Sequence, residues 1–278
     1  MCATVKAGAV QAGAVKVGTV KAGTVEAGTV EAGAVKAGTV KAGRRGGERQ
    51  RGVRAVNPAP EDPRSEVARA ARVLSAIGLV TAYGHVSARA GTAMLITPAA
   101  DLATVTASGV IEVPLTATAL PLGAPAEAWA HLAVYQVRSD VGAIARAQPP
   151  GAFAAAAVTS ALPALHGQAA WLGASVPVHD SALLLRSPDL AAQAAGCLPE
   201  GEALLMRGNG ALTLGATPGV AAARMWLLSA ACDAFLAARP AGPVKPLTAG
   251  EITSWRAVQD ELLPRLWQHL SRRAGESG

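Results

Sequence analysis

Aromatic residues are scarce: two Phe, two Tyr and five Trp make up 3% of the 278 residues. With so few rings, a core has to be assembled from Ala, Val and Leu through many small contacts. Cysteine is nearly absent too. Cys2, Cys197 and Cys232 are odd in number, far apart and without CxxC spacing. That argues against a disulfide framework or a thiolate zinc site and points to a reducing, cytoplasmic setting. The N-terminus lacks a charged start followed by an apolar core, and no apolar run reaches the roughly 18–20 residues of a membrane span. The expectation is a protein neither exported nor membrane-embedded.

Charge is missing where a nucleic-acid surface would need it. Residues 1–64 hold eleven Lys/Arg against five Asp/Glu, which accounts for the whole formal charge of +6. Beyond them, fourteen basic and fourteen acidic residues cancel. No basic residues interleave with aromatics in the single-strand-binding manner, so no nucleic-acid partner is expected for the folded part.

What is present is 51% hydrophobic residues, ample for a buried core, and a marked change of texture along the chain. From Val5 to Gly43 a unit V-[KQE]-[AV]-G-[AT] recurs eight times, as in Val20-Lys21-Ala22-Gly23-Thr24. A period of five matches neither the helical 3.6 nor the strand period of two, and the recurrent glycine disfavours a helix. Residues 1–43 read as a low-complexity, disordered tail; a partner-binding tail or a stacked β-solenoid are the alternatives. Residues 44–64 are a basic linker rich in Gly and Pro.

A domain is expected over residues 65–272. Val67, Ala70, Ala71, Leu74 and Ile77 form a helical stripe, with Ser65 as its cap. Short strands are expected at 94–98 and 110–115, a helix over 126–138, a buried strand at 141–147 and an Ala-rich helix at about 151–160. Two strands flank the turn Gly208-Asn209-Gly210, Pro218 opens a helix to about 238, and the tail is one amphipathic helix carrying Trp255 and Trp267. Helices alternating with hairpin-like strands predict a sheet covered by helices.

Four stretches, in order, carry a resemblance: YGHVSAR at 83–89 with LITP at 95–98, APAEAWAHLAVYQVRSDVGAIARAQPP at 124–150, VPVHDSALL, and EALLMRGNGALTLG at 202–215. Together they resemble the class II aldolase/adducin superfamily, which includes fuculose-phosphate aldolase, ribulose-phosphate epimerase and the adducin head. The resemblance implies an α/β fold of three layers, α/β/α, around a mainly antiparallel sheet. It also implies a homo-oligomer, a tetramer in many members, with Glu127 as acid/base.

In metal-dependent members the strand aligned with 141–148 ends in His-x-His and a third His lies in an R-G-H-G turn; those positions are Arg146, Gln148 and Asn209 here. Arginine has no lone pair to offer, and the two amides are poor ligands for zinc, so no cofactor is expected and a divalent metal is disfavoured. The family's phosphate-binding hydroxyls and glycine are Ala99-Ala100 and Pro125-Ala126, and the aldolase tyrosine after His166 is Gly167. The candidate catalytic residues are Glu127 and Arg146, the latter replacing the metal as the group that binds a substrate carboxylate or enolate. Candidate substrate contacts are His85, Ser87, Gln148, Asn209 and His166. His131, four residues after Glu127, would share its helix face.

Each has a plainer alternative. Arg146 and Glu127 can be an inert ion pair filling a disused metal pocket, with Gln148 and Asn209 satisfying each other or the backbone. Asn209 suits a turn that needs positive φ, and His85 and His131 suit ordinary structural hydrogen bonding. His179 and Asp180 should point to opposite faces of a strand and form no dyad. Three functions follow: a lyase-type enzyme on a small carbonyl or carboxylate compound without the usual metal, a non-catalytic oligomeric binding module, or, less favoured, a metal-dependent aldolase with unusual ligands.

Overall fold

The computed structural model describes residues 62–276, so the 1–43 repeat and all but the last three residues of the linker lie outside the described residues. Helix α1 (Pro63–Ala76) begins two residues before the expected start. Asp62, not Ser65, is the cap: its carboxylate accepts from the Arg64 N–H at 3.3 Å, and Pro63 sits in the first turn, where an N–H is not needed. Val67, Ala70, Ala71 and Leu74 of the expected stripe are buried.

Eight strands follow in one sheet: β1 (His85–Ala90), β2 (Ala93–Ile96), β3 (Ile111–Pro114), β4 (Ala143–Ala147), β5 (Ala161–Pro163), β6 (Ser175–His179), β7 (Ala203–Met206) and β8 (Gly210–Gly215). Their spatial order is β3-β2-β1-β4-β8-β7-β6-β5. Only β6–β7 is parallel; every other neighbouring pair is antiparallel, and the short connections from β1 to β2 and from β7 to β8 permit nothing else. The interspersed helices are α2 (Ala128–Val137), α3 (Pro150–Val158), α4 (Pro188–Ala195) and α5 (Pro218–Ala238).

Alternation along each strand feeds two cores. Val86, Ala88, Ala143, Ala145, Ala147 and Ala211 face α1, α3 and α5. Met94, Ile96, Ile144, Leu204 and Leu212 face α2 and α4. Helices thus cover both faces of the sheet, the expected three-layer α/β/α arrangement. Alanines dominate the first face, so α5 lies close against β4 and β8.

Two expectations need correction. α5, with the turn after it (Pro218–Ala241), is long and apolar enough to cross a membrane by length and composition, although Arg224 interrupts its apolar run. Most of it is buried in the domain, so its hydropathy is that of a core helix. The tail is two helices, α6 (Ala249–Arg256) and α7 (Gln259–Arg273), rather than one. Thr248 and Glu251 form a capping box that starts α6, and at the break the Trp255 carbonyl accepts from the Trp171 indole at 2.8 Å and from the Val258 N–H at 3.4 Å. Trp255 packs on Trp171, and Trp267 lies under the Arg69 guanidinium, so both tail tryptophans pack on the domain.

Candidate active site

Residues that point away from the apolar α1/α3/α5 layer on the central strands are polar at one end of the sheet. His85 pairs with Arg146 across β1 and β4, and because Val86 and Ala145 face the other way, His85, Ser87 and Arg146 share the α2 side. Gln148 follows β4 by one residue, Asn209 sits in the β7–β8 turn, and Glu127 immediately precedes α2. His85, Glu127, Arg146, Gln148 and Asn209 line one cleft of about 670 Å³. Its remaining walls include Tyr83, Ala99, Ala100, Pro125, Ala126, Leu184 and Arg186.

Glu127 is not on the face of α2 with His131 as expected; it sits at the N-cap position without a side-chain capping bond, and its carboxylate turns to the cleft. Arg146 Nη2 lies 3.2 Å from Glu127 Oε2 and donates to both oxygens of Asn209, the main-chain one at 3.2 Å. Asn209 Nδ2 donates to Glu127 Oε1 at 2.8 Å, and the Leu185 N–H reaches the same oxygen at 3.3 Å. Each side chain of this triangle bonds the other two, and only one orientation of the Asn209 amide satisfies cation and carboxylate together.

The triangle leaves Arg146 half used. Its side chain is 3% exposed, and Nε and Nη1 are buried without a partner. Burial lowers the guanidinium pKa from its ordinary value, opposed by the Glu127 charge. Asn209 is not in the turn for its backbone: the positive φ values fall on Gly208 (70°) and Gly210 (84°), and no described non-glycine residue has one. Nor do Gln148 and Asn209 bond each other; Asn209 is spent on Glu127 and Arg146.

Two candidate substrate contacts lie elsewhere. Ser87 is fully buried, its hydroxyl 2.8 Å from His131 Nδ1 and 2.9 Å from the Tyr135 hydroxyl, so it is beneath the cleft rather than in it. His166 follows β5 at the far edge of the sheet and does not line the cleft. The absence of a side chain at Gly167 has a local cause: a Cβ there would stand 1.8 Å from the Trp255 ring. His179 and Asp180 do point apart, His179 Nδ1 lying 3.7 Å from Cys197 Sγ and Asp180 pairing with Arg207. Residues not foreseen are Tyr135, Leu185 and Arg186. Tyr135 was within reach, since it is spaced four residues from His131 on α2. The other two sit in an irregular loop that offers no periodic signal.

Arg146, Gln148 and Asn209 do not fit a histidine-held divalent ion. A buried guanidinium has no lone pair, and its charge would repel a second cation at contact. Among the described residues no group of three or more His, Cys, Asp or Glu is arranged to hold a metal ion.

A mainly antiparallel sheet between helical layers, with Glu127 before α2 and Asn209 in the glycine turn, defines a class of protein. Residues 65–236 match the Class II Aldolase and Adducin N-terminal domain, and the chain belongs to that family. Among solved structures, an L-fuculose 1-phosphate aldolase is similar, with a TM-score of 0.66 at 23% identity over 73% of this chain and 98% of that one. The L-fuculose-1-phosphate aldolase of Thermus thermophilus gives 0.58 at 28% identity, over 64% and 96%. An aldolase II superfamily protein from Pseudomonas syringae gives 0.66 at 21%, over 80% and 96%. No curated protein matches the sequence significantly.

Proposed function

We propose that this domain is a lyase-type enzyme acting on a small carbonyl or carboxylate compound without the usual divalent metal. The observation that carries it is Arg146: a cation 3% exposed, lining a cleft, with two guanidinium nitrogens, Nε and Nη1, unmatched by protein acceptors. An unmatched buried donor costs about 1–3 kcal/mol; Nε and Nη1 are shielded from solvent, so a carboxylate or enolate oxygen in the cleft would meet them by turning the guanidinium toward it, and would then remove that cost through charge-assisted hydrogen bonds. Glu127 stands beside that position and is the group available to move a proton. The methyl and proline walls at Ala99, Ala100, Pro125 and Ala126 favour an unphosphorylated substrate. Similarity to proteins named as aldolases, including a putative aldolase/epimerase/decarboxylase from Escherichia coli, supports carbon–carbon bond or proton-transfer chemistry. By the same resemblance we propose a homo-oligomer, and from the few, widely spaced cysteines a cytoplasmic setting.

The closed triangle of Arg146, Glu127 and Asn209 favours a second reading, a binding or assembly module whose former metal pocket is filled. Thermal shift with pyruvate, glycolaldehyde and sugar acids separates the two. A carboxylate should raise the Tm of the wild type and leave Arg146→Met unmoved. No shift with any compound would favour the module. Near-stoichiometric zinc, iron or manganese in the purified protein, by plasma mass spectrometry, would overturn the metal-free proposal.

A further inference from the structure

Behind the cleft lies a polar chain that the site described so far does not use. Tyr135, Ser87 and His131 are each no more than 2% exposed, on α2 and β1, and bonded in sequence through the Ser87 hydroxyl at 2.9 and 2.8 Å. Beyond His131 the chain stops at two buried nitrogens without partners, His131 Nε2 and His85 Nδ1, whose rings are 5.8 Å apart and tilted by 57°. His85 lines the cleft, and Nδ1 is its buried nitrogen, so Nε2 is the one toward the cleft.

We propose that Tyr135, Ser87 and His131 are positioning residues that hold His85 as a neutral imidazole with its Nε2–H donor facing the cleft. Proton bookkeeping along the chain fixes the direction. The Tyr135 hydroxyl has Ser87 Oγ as its partner, so its proton goes there. The Ser87 proton is then left for His131 Nδ1, which places the His131 proton on Nε2. The other buried nitrogen without a partner is His85 Nδ1 in the neighbouring ring, and a small ring rotation or one bridging water lets it supply the lone pair. That leaves the His85 proton on Nε2. Running the chain backwards strands the buried phenolic proton without an acceptor, at about 1–3 kcal/mol.

Neutrality has a separate physical basis. Burial first, then the charges of neighbours including Arg146, holds both imidazoles below their ordinary pKa, His131 at about 3. A fixed neutral donor lining the same cleft as a guanidinium is suited to stabilise a developing oxyanion. What that donor acts on rests on the proposed function; the tautomers do not.

The test is long-range proton–nitrogen NMR of the full-length protein labelled with ¹⁵N-histidine, resonances assigned by single substitutions. At pH 7, His85 and His131 should both be in the Nε2–H form. Tyr135→Phe and Ser87→Ala should convert His131, and with it His85, to mixed tautomers. A wild-type protein with either ring as Nδ1–H or charged would overturn the proposal without any variant. So would unchanged tautomers in both variants. Adding pyruvate should move His85 Nε2 in the wild type and not in Arg146→Met. The predicted tautomers with no pyruvate response would uphold the chain and count against the carboxylate-binding function alone.

Discussion

Replacing Arg146 by Met distinguishes a site held ready for a ligand from a pair that merely fills space. In a structural pair, deleting one partner strands the other charge and costs about 3–5 kcal/mol. Glu127 would not be stranded here: the Asn209 amide at 2.8 Å and the Leu185 N–H at 3.3 Å remain, and its side chain is 12% exposed at the cleft. Met preserves most of the length of the side chain and removes two unmatched donors, each costing about 1–3 kcal/mol, for a relief of about 2–6 kcal/mol. Against this stand one ion pair at 3.2 Å and two hydrogen bonds to Asn209. Relief and loss are of similar size, so the net change should lie within about 2 kcal/mol of zero, on either side, with carboxylate binding abolished. The assay is urea denaturation at pH 7.5, comparing midpoints at an unchanged m-value. A loss of about 3 kcal/mol or more would refute the reasoning and make the pair structural. Loss of function without loss of stability is the signature of a group kept for chemistry.

Acid should weaken the domain through its two buried histidines. His131 is held at about 3, and His85 well below its ordinary value, while both would titrate near 6.5 when unfolded. The unfolded chain therefore binds more protons, so the stability from neutral imidazoles is complete above about pH 6.5 and is lost as pH falls toward 3. Each histidine contributes up to about 1.4 kcal/mol per pH unit, so the urea midpoint should fall between about pH 6.5 and 4.5 and the slope should shrink in His131→Gln; a slope unchanged by that substitution would count against it. Gly210→Ala should be severely destabilising, by at least about 3 kcal/mol, since φ is 84° and a Cβ would stand 2.3 Å from the Ala147 carbonyl oxygen; a Tm within a few degrees of wild type would be incompatible with that geometry.

The fold was largely legible because its signals are local. Alternating small apolar residues at 143–147, the glycine turn at 208–210 and the Pro218 helix start each report on neighbours in sequence. Where expectation failed, a distant partner decided. At the break in the tail Trp171 bonds the Trp255 carbonyl across 84 residues, and Gly167 is small because the Trp255 ring covers it. No window of sequence contains both halves of such contacts.

The same distinction applies within the site. Strand alternation put His85, Ser87 and Arg146 on one side of the sheet, and that much follows from a period of two. It could not say that Ser87 would be turned under the cleft by Tyr135 and His131, or that Asn209, 82 residues from Glu127, would complete the triangle with Arg146. An isolated arginine in an apolar strand is a local conflict, and such conflicts concentrate where function opposes stability. Arg146 keeps that conflict in the folded protein: Nη2 is satisfied by Glu127 and Asn209, while Nε and Nη1 are not. A pocket filled only for stability would have no reason to retain two unmatched donors, since an apolar side chain of similar volume would pack there without them.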